Sequence, residues 1–96
     1  MVEDLLMLSL LSPFDLQLEL SRFVKTTRKA QGYSVQAFAE KTGVPNSTIR
    51  KFESTGEISL RQFLMIYAVV GKLADLQQLL QKDEKPNSID EVLKNA

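Results

Sequence analysis

The sequence predicts an all-helical fold, and three observations support this prediction. Apolar residues recur at three- and four-residue spacing over most of the chain, as they do along one face of a helix. No segment shows the sustained alternation of a half-buried strand. Serine, proline and glycine stand where helices would begin and end. We expect about five core helices, with a short flanking helix at each end of the 96-residue chain.

The first core helix is predicted to begin at Pro13, just after Ser12, and to run to about Ala30. Proline is favoured at the first helical position, and Asp15 lies in the first turn, where the helix dipole stabilises a negative charge. Gly32 ends the helix. Its apolar face is formed by Leu16, Leu20, Phe23, Val24 and Thr27.

Two short helices are predicted to follow. Ser34 is a favourable N-cap for the first of them, and Gly43 ends it. Pro45 is suited to the beginning of the second, which runs to about Ser54. Gly56 then marks the next break in the chain.

Two further core helices, a linker and a short last helix are predicted after Gly56, and the chain is expected to have three parts. Ser59 is expected to cap a fourth helix that ends at Gly71, and a fifth carries Leu73, Leu76, Leu79 and Leu80. Residues 82–87 are predicted to be a charged linker, and Ser88 with Glu91 forms a capping box that opens a short last helix. The parts are an apolar N-terminal segment (1–12), a helical domain (13–82) and a linker with a short C-terminal helix (83–96).

Composition limits the chemistry that the chain can perform. It has no Cys and no His, so thiol chemistry, zinc sites and the commonest general base are excluded together. No nucleophile–base arrangement stands out among the remaining carboxylates, hydroxyls and lysines. We therefore expect neither an enzyme nor a bound cofactor or metal ion. Little chain remains outside the helices to build a pocket for a small-molecule substrate.

The N-terminus is acidic and lacks a small-residue cleavage site, unlike a signal peptide. The longest charge-free stretch near it runs for ten residues, from Leu5 to Phe14. A membrane-spanning helix needs about 20 apolar residues. We therefore expect a cytoplasmic protein without membrane contact.

Charge is unevenly distributed, although the net charge is zero. Residues 21–61 contain eight basic and three acidic residues, a net charge of +5, and the remainder carries −5. A basic middle with acidic ends suits a surface that binds a polyanion, opposed by surfaces that do not. Chance clustering of charges on solvated helices is an equally good interpretation of the charge count alone.

The two short helices have the spacing of a helix-turn-helix motif, in which two helices are joined by a turn of three or four residues containing glycine. Ala39 lies where the helices approach each other, so a small side chain is needed there. Gly43 lies where a positive φ is needed. The predicted motif core is Phe38, Ala39, Gly43, Val44, Ile49 and Phe52.

The outward face of the second motif helix is polar throughout. Residues near the N-terminus of such a helix reach base edges in the major groove of double-stranded DNA. Asn pairs bidentately with adenine, as Arg or Lys does with guanine. An ordinary solvated helix face is the alternative interpretation. The predicted base-reading residues are Asn46, Ser47, Arg50 and Lys51.

Phosphate contacts are predicted around this helix. Ser34 and Gln36 lie at the N-terminus of the first motif helix, where free backbone N–H groups favour an anion, and Ser34 can cap the helix and contact phosphate together. For Arg28, a solvated charge or a salt bridge to Glu53 is as good an interpretation as DNA contact. The predicted phosphate-binding residues are Arg28, Lys29, Ser34, Gln36, Ser54, Thr55 and Arg61.

Residues 21–81 resemble the XRE family of bacterial and phage-repressor-like regulators. The segments RKAQGYSVQAFAEKTGVPNSTIRKFE and SLRQFLMIYAVVGK look like the first four helices of that family. The resemblance implies a five-helix, phage-repressor-like helix-turn-helix domain that acts as a homodimer on a palindromic operator, and hence a nucleoid-associated protein. Two departures matter. Val35 stands where the family often has a contacting Gln, and the loop from Glu53 to Gly56 is one residue longer than the commonest form.

The longer loop, in FESTGEISLRQFL, is similar to that of a subgroup resembling the HipB antitoxins, which occur with HipA-like kinases. The tail EKPNSIDEVL also looks like that subgroup. This narrower resemblance implies a protein that represses its own operon and binds a HipA-like kinase as a toxin partner. No residue by itself indicates such a partner.

Two leucine-rich sets are candidates for a dimer contact, which is expected because one module of this size contacts too little DNA to bind an operator tightly. We expect core packing to account for at least half of the set that runs from Leu73 to Leu80. An apolar N-terminal segment left exposed would favour aggregation, so we expect it to pack across a dimer or onto a protein partner. The sets are Leu5, Leu6, Leu8, Leu10 and Leu11, and Leu73, Leu76, Leu79 and Leu80.

Two functions remain open at this point. The first is a sequence-specific transcriptional repressor. The second is a protein-binding adaptor or antitoxin in which the helix-turn-helix is mainly a scaffold, since a fold does not determine function. The polar, basic face of the second motif helix favours the repressor, because a purely protein-binding module would not need it.

Overall fold

The computed structural model describes residues 11–81, which form five helices. Within this range there is no strand, and the predicted all-helical fold is confirmed. The predicted flanking helices, the linker at 82–87 and the leucines of residues 1–10 lie outside the described residues. The helices are α1 (Pro13–Ala30), α2 (Val35–Thr42), α3 (Asn46–Thr55), α4 (Leu60–Val70) and α5 (Leu73–Gln81).

Serine side chains cap three of these helices. The Ser12 hydroxyl accepts a hydrogen bond from the Asp15 N–H at 3.1 Å, and the Asp15 carboxylate accepts one from the Ser12 N–H at 3.2 Å. Ser34 and Ser59 each accept from the N–H three residues later, at 3.1 Å. By contrast, no described side chain caps α3, which begins after Pro45. The first backbone N–H groups of α3 are therefore open to another acceptor.

The core is built where α1 and α2 each pack against α3 and α4. Phe52 of α3 meets Phe63 of α4 edge-on, with ring centroids 6.0 Å apart. Burying a side chain of this size contributes about 1.5–3 kcal/mol, so α3 is held firmly along its inner side. The buried apolar residues are Val24, Phe38, Val44, Ile49, Phe52, Ile66 and Val70.

A buried ion pair joins α1 to α3. Arg28 is 6% exposed, and its Nε and Nη2 donate to the Glu53 carboxylate at 2.8 and 3.0 Å. Its Nη1 donates to the Tyr33 carbonyl at 2.7 Å. The predicted phosphate contact by Arg28 is therefore corrected, because a guanidinium buried and bonded in this way does not reach DNA. Arg28 shares the buried face of α1 with Ser21 and Val24.

Helix α5 exposes most of its leucines. Leu73, Leu79 and Leu80 are 50, 58 and 70% exposed, and Leu76 is half-buried. The expectation that core packing accounts for at least half of this set is wrong, because the described core is closed by α1–α4 without a residue from α5.

Of the described helices, none alone is long and apolar enough to cross a membrane. Helices α4 and α5 taken together meet the length and composition for this, as a pair bent by 117°.

The loop between α3 and α4 is fixed by Gly56. Gly56 has a φ of +81°, and its N–H donates to the Phe52 carbonyl at 2.8 Å. Its own carbonyl accepts from Gln17 Nε2 at 3.1 Å. A Cβ at this position would lie 3.1 Å from the Gln17 backbone, so only glycine fits without movement of α1. The residues that follow Gly56 therefore have a defined position relative to α3.

Candidate nucleic-acid interface

The turn between α2 and α3 fixes the two helices relative to each other. Gly43 has a φ of +80°, and its N–H donates to the Ala39 carbonyl at 2.9 Å. Val44 is buried, and its N–H donates to Thr42 Oγ1 at 3.1 Å. The predicted motif core residues Phe38, Ile49 and Phe52 are fully buried, and Ala39 packs against them. One side of α3 is thus buried, and the opposite side faces solvent.

The outward side of α3 carries two rows of polar side chains. Asn46, Arg50 and Ser54 form the first row, and Ser47 and Lys51 form the second, because residues four apart lie one above the other on a helix. Asn46 is half-buried, whereas the others are exposed. The structure therefore brings the four predicted base-reading residues together on one surface of one helix.

Asn46 and Arg50 are joined within the first row. Arg50 Nε donates to Asn46 Oδ1 at 2.8 Å. This bond fixes the direction of the guanidinium, whose Nη groups have no partner within residues 11–81. A guanidinium held in one plane can donate two parallel hydrogen bonds to a guanine edge. Asn46 and Arg50 are therefore arranged as one unit, and not as two independent side chains.

Lys51 in the second row has an acidic neighbour. Its Nζ lies 3.3 Å from Glu57 Oε2, and both side chains are 65% exposed. Ser47, Lys51, Glu57 and Gln62 line an open groove between α3 and the start of α4. Glu57 and Gln62 were not predicted from the sequence. No motif distinguishes them, because their proximity to Lys51 depends on the path of the α3–α4 loop.

Two of the predicted phosphate-binding residues are exposed cations. Lys29 on α1 and Arg61 on α4 are both exposed, and neither forms an ion pair within the described part of the chain. Their charges are therefore available to a polyanion. In this respect they differ from Arg28, whose charge is neutralised by Glu53 in a buried ion pair.

The polar residues predicted to bind phosphate already make local hydrogen bonds. Ser34 Oγ caps α2, and the hydroxyls of Ser54 and Thr55 donate to the Lys51 carbonyl at 3.1 and 2.7 Å. The Ser54 and Thr55 hydroxyls have used their proton and do not donate to a phosphate in this arrangement, whereas Ser34 Oγ only accepts from the Ala37 N–H and keeps its proton for another acceptor.

Gln36 is the remaining predicted phosphate-binding residue. It is exposed near the N-terminus of α2. Gln36 and Asn46 line a second open groove, between α2 and the start of α3, together with Glu40. The uncapped N-terminus of α3 opens beside these residues, so backbone donors and side-chain amides lie at one end of the polar rows.

Residues 24–65 match the helix-turn-helix family. The match begins within α1, includes all of α2 and α3, and ends within α4. No curated protein and no solved structure shows a significant match to the chain. The matched segment contains the whole two-helix motif with its outward polar rows. The family match and the geometry therefore agree that residues 24–65 contain a helix-turn-helix motif.

Proposed function

We propose that the protein is a sequence-specific transcriptional repressor that binds a palindromic operator as a homodimer and regulates its own gene. The observation that carries this proposal is the outward side of α3. Four hydrogen-bonding side chains, two of them basic, stand there on a helix whose other side is buried. A helix presented in this way fits the major groove, and the residues of its first turns reach the base edges.

The surroundings of α3 supply the contacts that orient such a helix on DNA. Lys29 and Arg61 are exposed cations, and each phosphate that they neutralise releases a counterion and strengthens binding to any sequence. The uncapped N-terminus of α3 offers backbone N–H groups to a phosphate. Phosphate contacts of this kind set register, whereas Asn46, Ser47, Arg50 and Lys51 supply base recognition.

The proposal is tested by a mobility shift on DNA from just upstream of the gene, with excess nonspecific competitor and at two salt concentrations. We expect a discrete complex that resists the competitor and weakens as salt rises. The matched control is an Arg50→Ala/Lys51→Ala variant, which changes only exposed side chains and should form no discrete complex. An absent shift, or a smear that competitor removes, would overturn the proposal in favour of a protein-binding adaptor or antitoxin.

A toxin–antitoxin role would add a HipA-like kinase as partner. It is supported by the resemblance of the α3–α4 loop and of the C-terminal tail to the HipB antitoxins. Co-expression with such a kinase tests this role, and we expect the two proteins to elute together from a sizing column. Separate elution at micromolar concentration would reject the kinase partner without affecting the repressor function.

Replacing Lys29 with Ala separates phosphate contacts from base contacts. We expect weaker binding to every duplex and a salt slope of log K smaller by about 0.9, because one phosphate contact is lost. Asn46→Ala should instead relax the preference for one base pair in each half-site. Dissociation constants for operator and scrambled duplexes at three salt concentrations make the comparison. Identical behaviour of the two variants would contradict this division of the contacts.

The proposed dimer is assigned to the exposed leucines of α5, since apolar side chains gathered on one surface commonly mark an interface. Leu79→Ser/Leu80→Ser should lower the mass in light scattering from dimer to monomer, because both side chains are mostly exposed and contribute nothing to the described core. Leu60→Ser, a change of the same kind at a 73% exposed position on α4, should leave the dimer intact.

Removing residues 1–10 tests the N-terminal segment in the same measurement. This deletion keeps Ser12, which caps α1. Loss of the dimer in the deletion, together with an unchanged dimer in the leucine variant, would move the interface to the N-terminal segment.

A further inference from the structure

We infer that Glu57 limits binding to nonspecific DNA by holding Lys51 away from phosphate groups, and so sets the specificity of the interface. This inference rests on the proposed function. Lys51 lies in the second outward row of α3, and its Nζ is 3.3 Å from Glu57 Oε2. Both side chains are largely exposed, so the pair lies on the surface where DNA would bind and not in the core.

The backbone of Glu57 is tied to the turn of α3 that carries Lys51. Thr55 Oγ1 donates to the Lys51 carbonyl at 2.7 Å and accepts from the Glu57 N–H at 3.1 Å. Gly56, between them, is buried and bonded to Gln17. Glu57 is therefore placed beside Lys51 by a loop anchored on both α1 and α3. The ion pair follows from the loop geometry, and not from a chance meeting of two long side chains.

Lys51 differs from the other exposed cations of the interface. Lys29, Arg50 and Arg61 have no acidic partner within residues 11–81, whereas Lys51 has Glu57. Affinity for DNA of any sequence depends on the number of phosphates that cations neutralise. A lysine paired with a carboxylate adds no net positive charge, and the carboxylate itself is repelled by phosphate. A nonspecific complex in which the Lys51–Glu57 pair is intact therefore has about one phosphate contact fewer than a complex in which Lys51 is free.

A matching base pair can satisfy both members of the ion pair. In the major groove, guanine presents acceptors that suit Lys, and cytosine presents an amino donor that suits Glu. A G·C pair beneath Lys51 and Glu57 therefore provides partners for both side chains. A sequence without it leaves the Glu57 carboxylate facing acceptors and phosphates. Glu57 consequently weakens nonspecific complexes more than it weakens the operator complex.

The test compares Glu57→Gln with the wild-type protein on random-sequence duplex and on the operator. Removing the carboxylate frees Lys51, so the salt slope of log K on random duplex should steepen by about 0.9. Between about 50 and 200 mM salt, this slope makes the variant lose affinity by an additional factor of about 3.5. Its affinity for random duplex at the lower salt should rise, and the ratio of operator to random affinity should fall.

Two variants make the test specific to the Lys51–Glu57 pair. Glu19→Gln changes net charge equally at an exposed position on α1 that forms no ion pair within the described residues, and it should leave the slope unchanged. Lys51→Gln/Glu57→Gln should not show the steeper slope, because the freed cation is gone. Thermal unfolding followed by circular dichroism should differ little for Glu57→Gln, since an exposed ion pair contributes little to the free energy of unfolding.

The outcomes separate this inference from the proposed function. A wild-type complex with normal salt dependence and an unchanged slope in Glu57→Gln would overturn the inference alone. Equal steepening in Glu19→Gln would also overturn it, because bulk charge would then be the cause. If the wild-type protein bound no DNA of any sequence, the proposed function and this inference would both be wrong.

Discussion

Replacing Glu53 with Ala is expected to lower the free energy of unfolding by about 3–5 kcal/mol, because it leaves the buried Arg28 guanidinium without its counter-ion. Arg28 Nε and Nη2 both donate to the Glu53 carboxylate, and both side chains are 7% exposed. A small domain has a total stability of about 5–15 kcal/mol. Urea denaturation followed by circular dichroism should therefore show that the variant unfolds at a much lower urea concentration than the wild-type protein. A variant that is partly unfolded without urea would show the same effect at its largest.

The chain offers a matched control for this substitution. Glu57→Ala removes the same side chain from the exposed pair with Lys51, and it should lower the free energy of unfolding by about 1 kcal/mol or less. Arg28→Met/Glu53→Leu should recover most of the loss, because apolar side chains often replace a buried ion pair without penalty. Equal losses in Glu53→Ala and Glu57→Ala would contradict the distinction between the buried and the exposed pair.

Replacing Arg50 with Ala is expected to have the largest effect on operator binding. A bidentate contact to guanine contributes about 1–3 kcal/mol of base discrimination, which corresponds to a loss of about 5- to 160-fold in affinity for each half-site. The preference for one base pair in each half-site should disappear. Dissociation constants for a set of operators that differ by single base pairs measure both effects.

Arg50→Lys separates the charge of this residue from its geometry. Lysine keeps the positive charge and can still contact guanine, but it lacks the planar fork of donors that Asn46 orients, so the salt slope should be retained while base preference is weakened. Because Arg50 Nε is held by Asn46 Oδ1, Asn46→Ala should weaken the same preference, and the double variant should lose less than the sum of the single losses. Strict additivity, or full base preference in Arg50→Lys, would contradict the paired arrangement.

Much of the interface could be predicted because its framework depends on short-range patterns. Ser34 and Ser59 cap their helices as expected, and Gly43 takes the positive φ that the turn requires. These features arise from interactions between residues three or four positions apart, which the sequence displays directly. The apolar spacing of α3 likewise fixes its buried side, and hence the side left for polar residues.

One local feature could have been found in the sequence. Asn46 and Arg50 are four residues apart on α3, a spacing at which side chains meet on a helix. This spacing by itself indicates a hydrogen bond between the two side chains, in addition to the base contact predicted for each of them. The bond changes the expected behaviour of the variants from independent to coupled, although it does not change which residues face outward.

The sequence by itself determined the helices, their ends, the buried side of α3 and the polar residues on its outer side, since each depends on near neighbours in the chain. Only the tertiary structure decided which charges remain free. Arg28 and Glu53 are 25 positions apart, and the Lys51–Glu57 pair depends on a loop held by Gln17. The exposure of the α5 leucines was also decided at this level, because the described core is closed by α1–α4. A periodic pattern identifies an apolar face, whereas the packing of the other helices determines whether that face is covered.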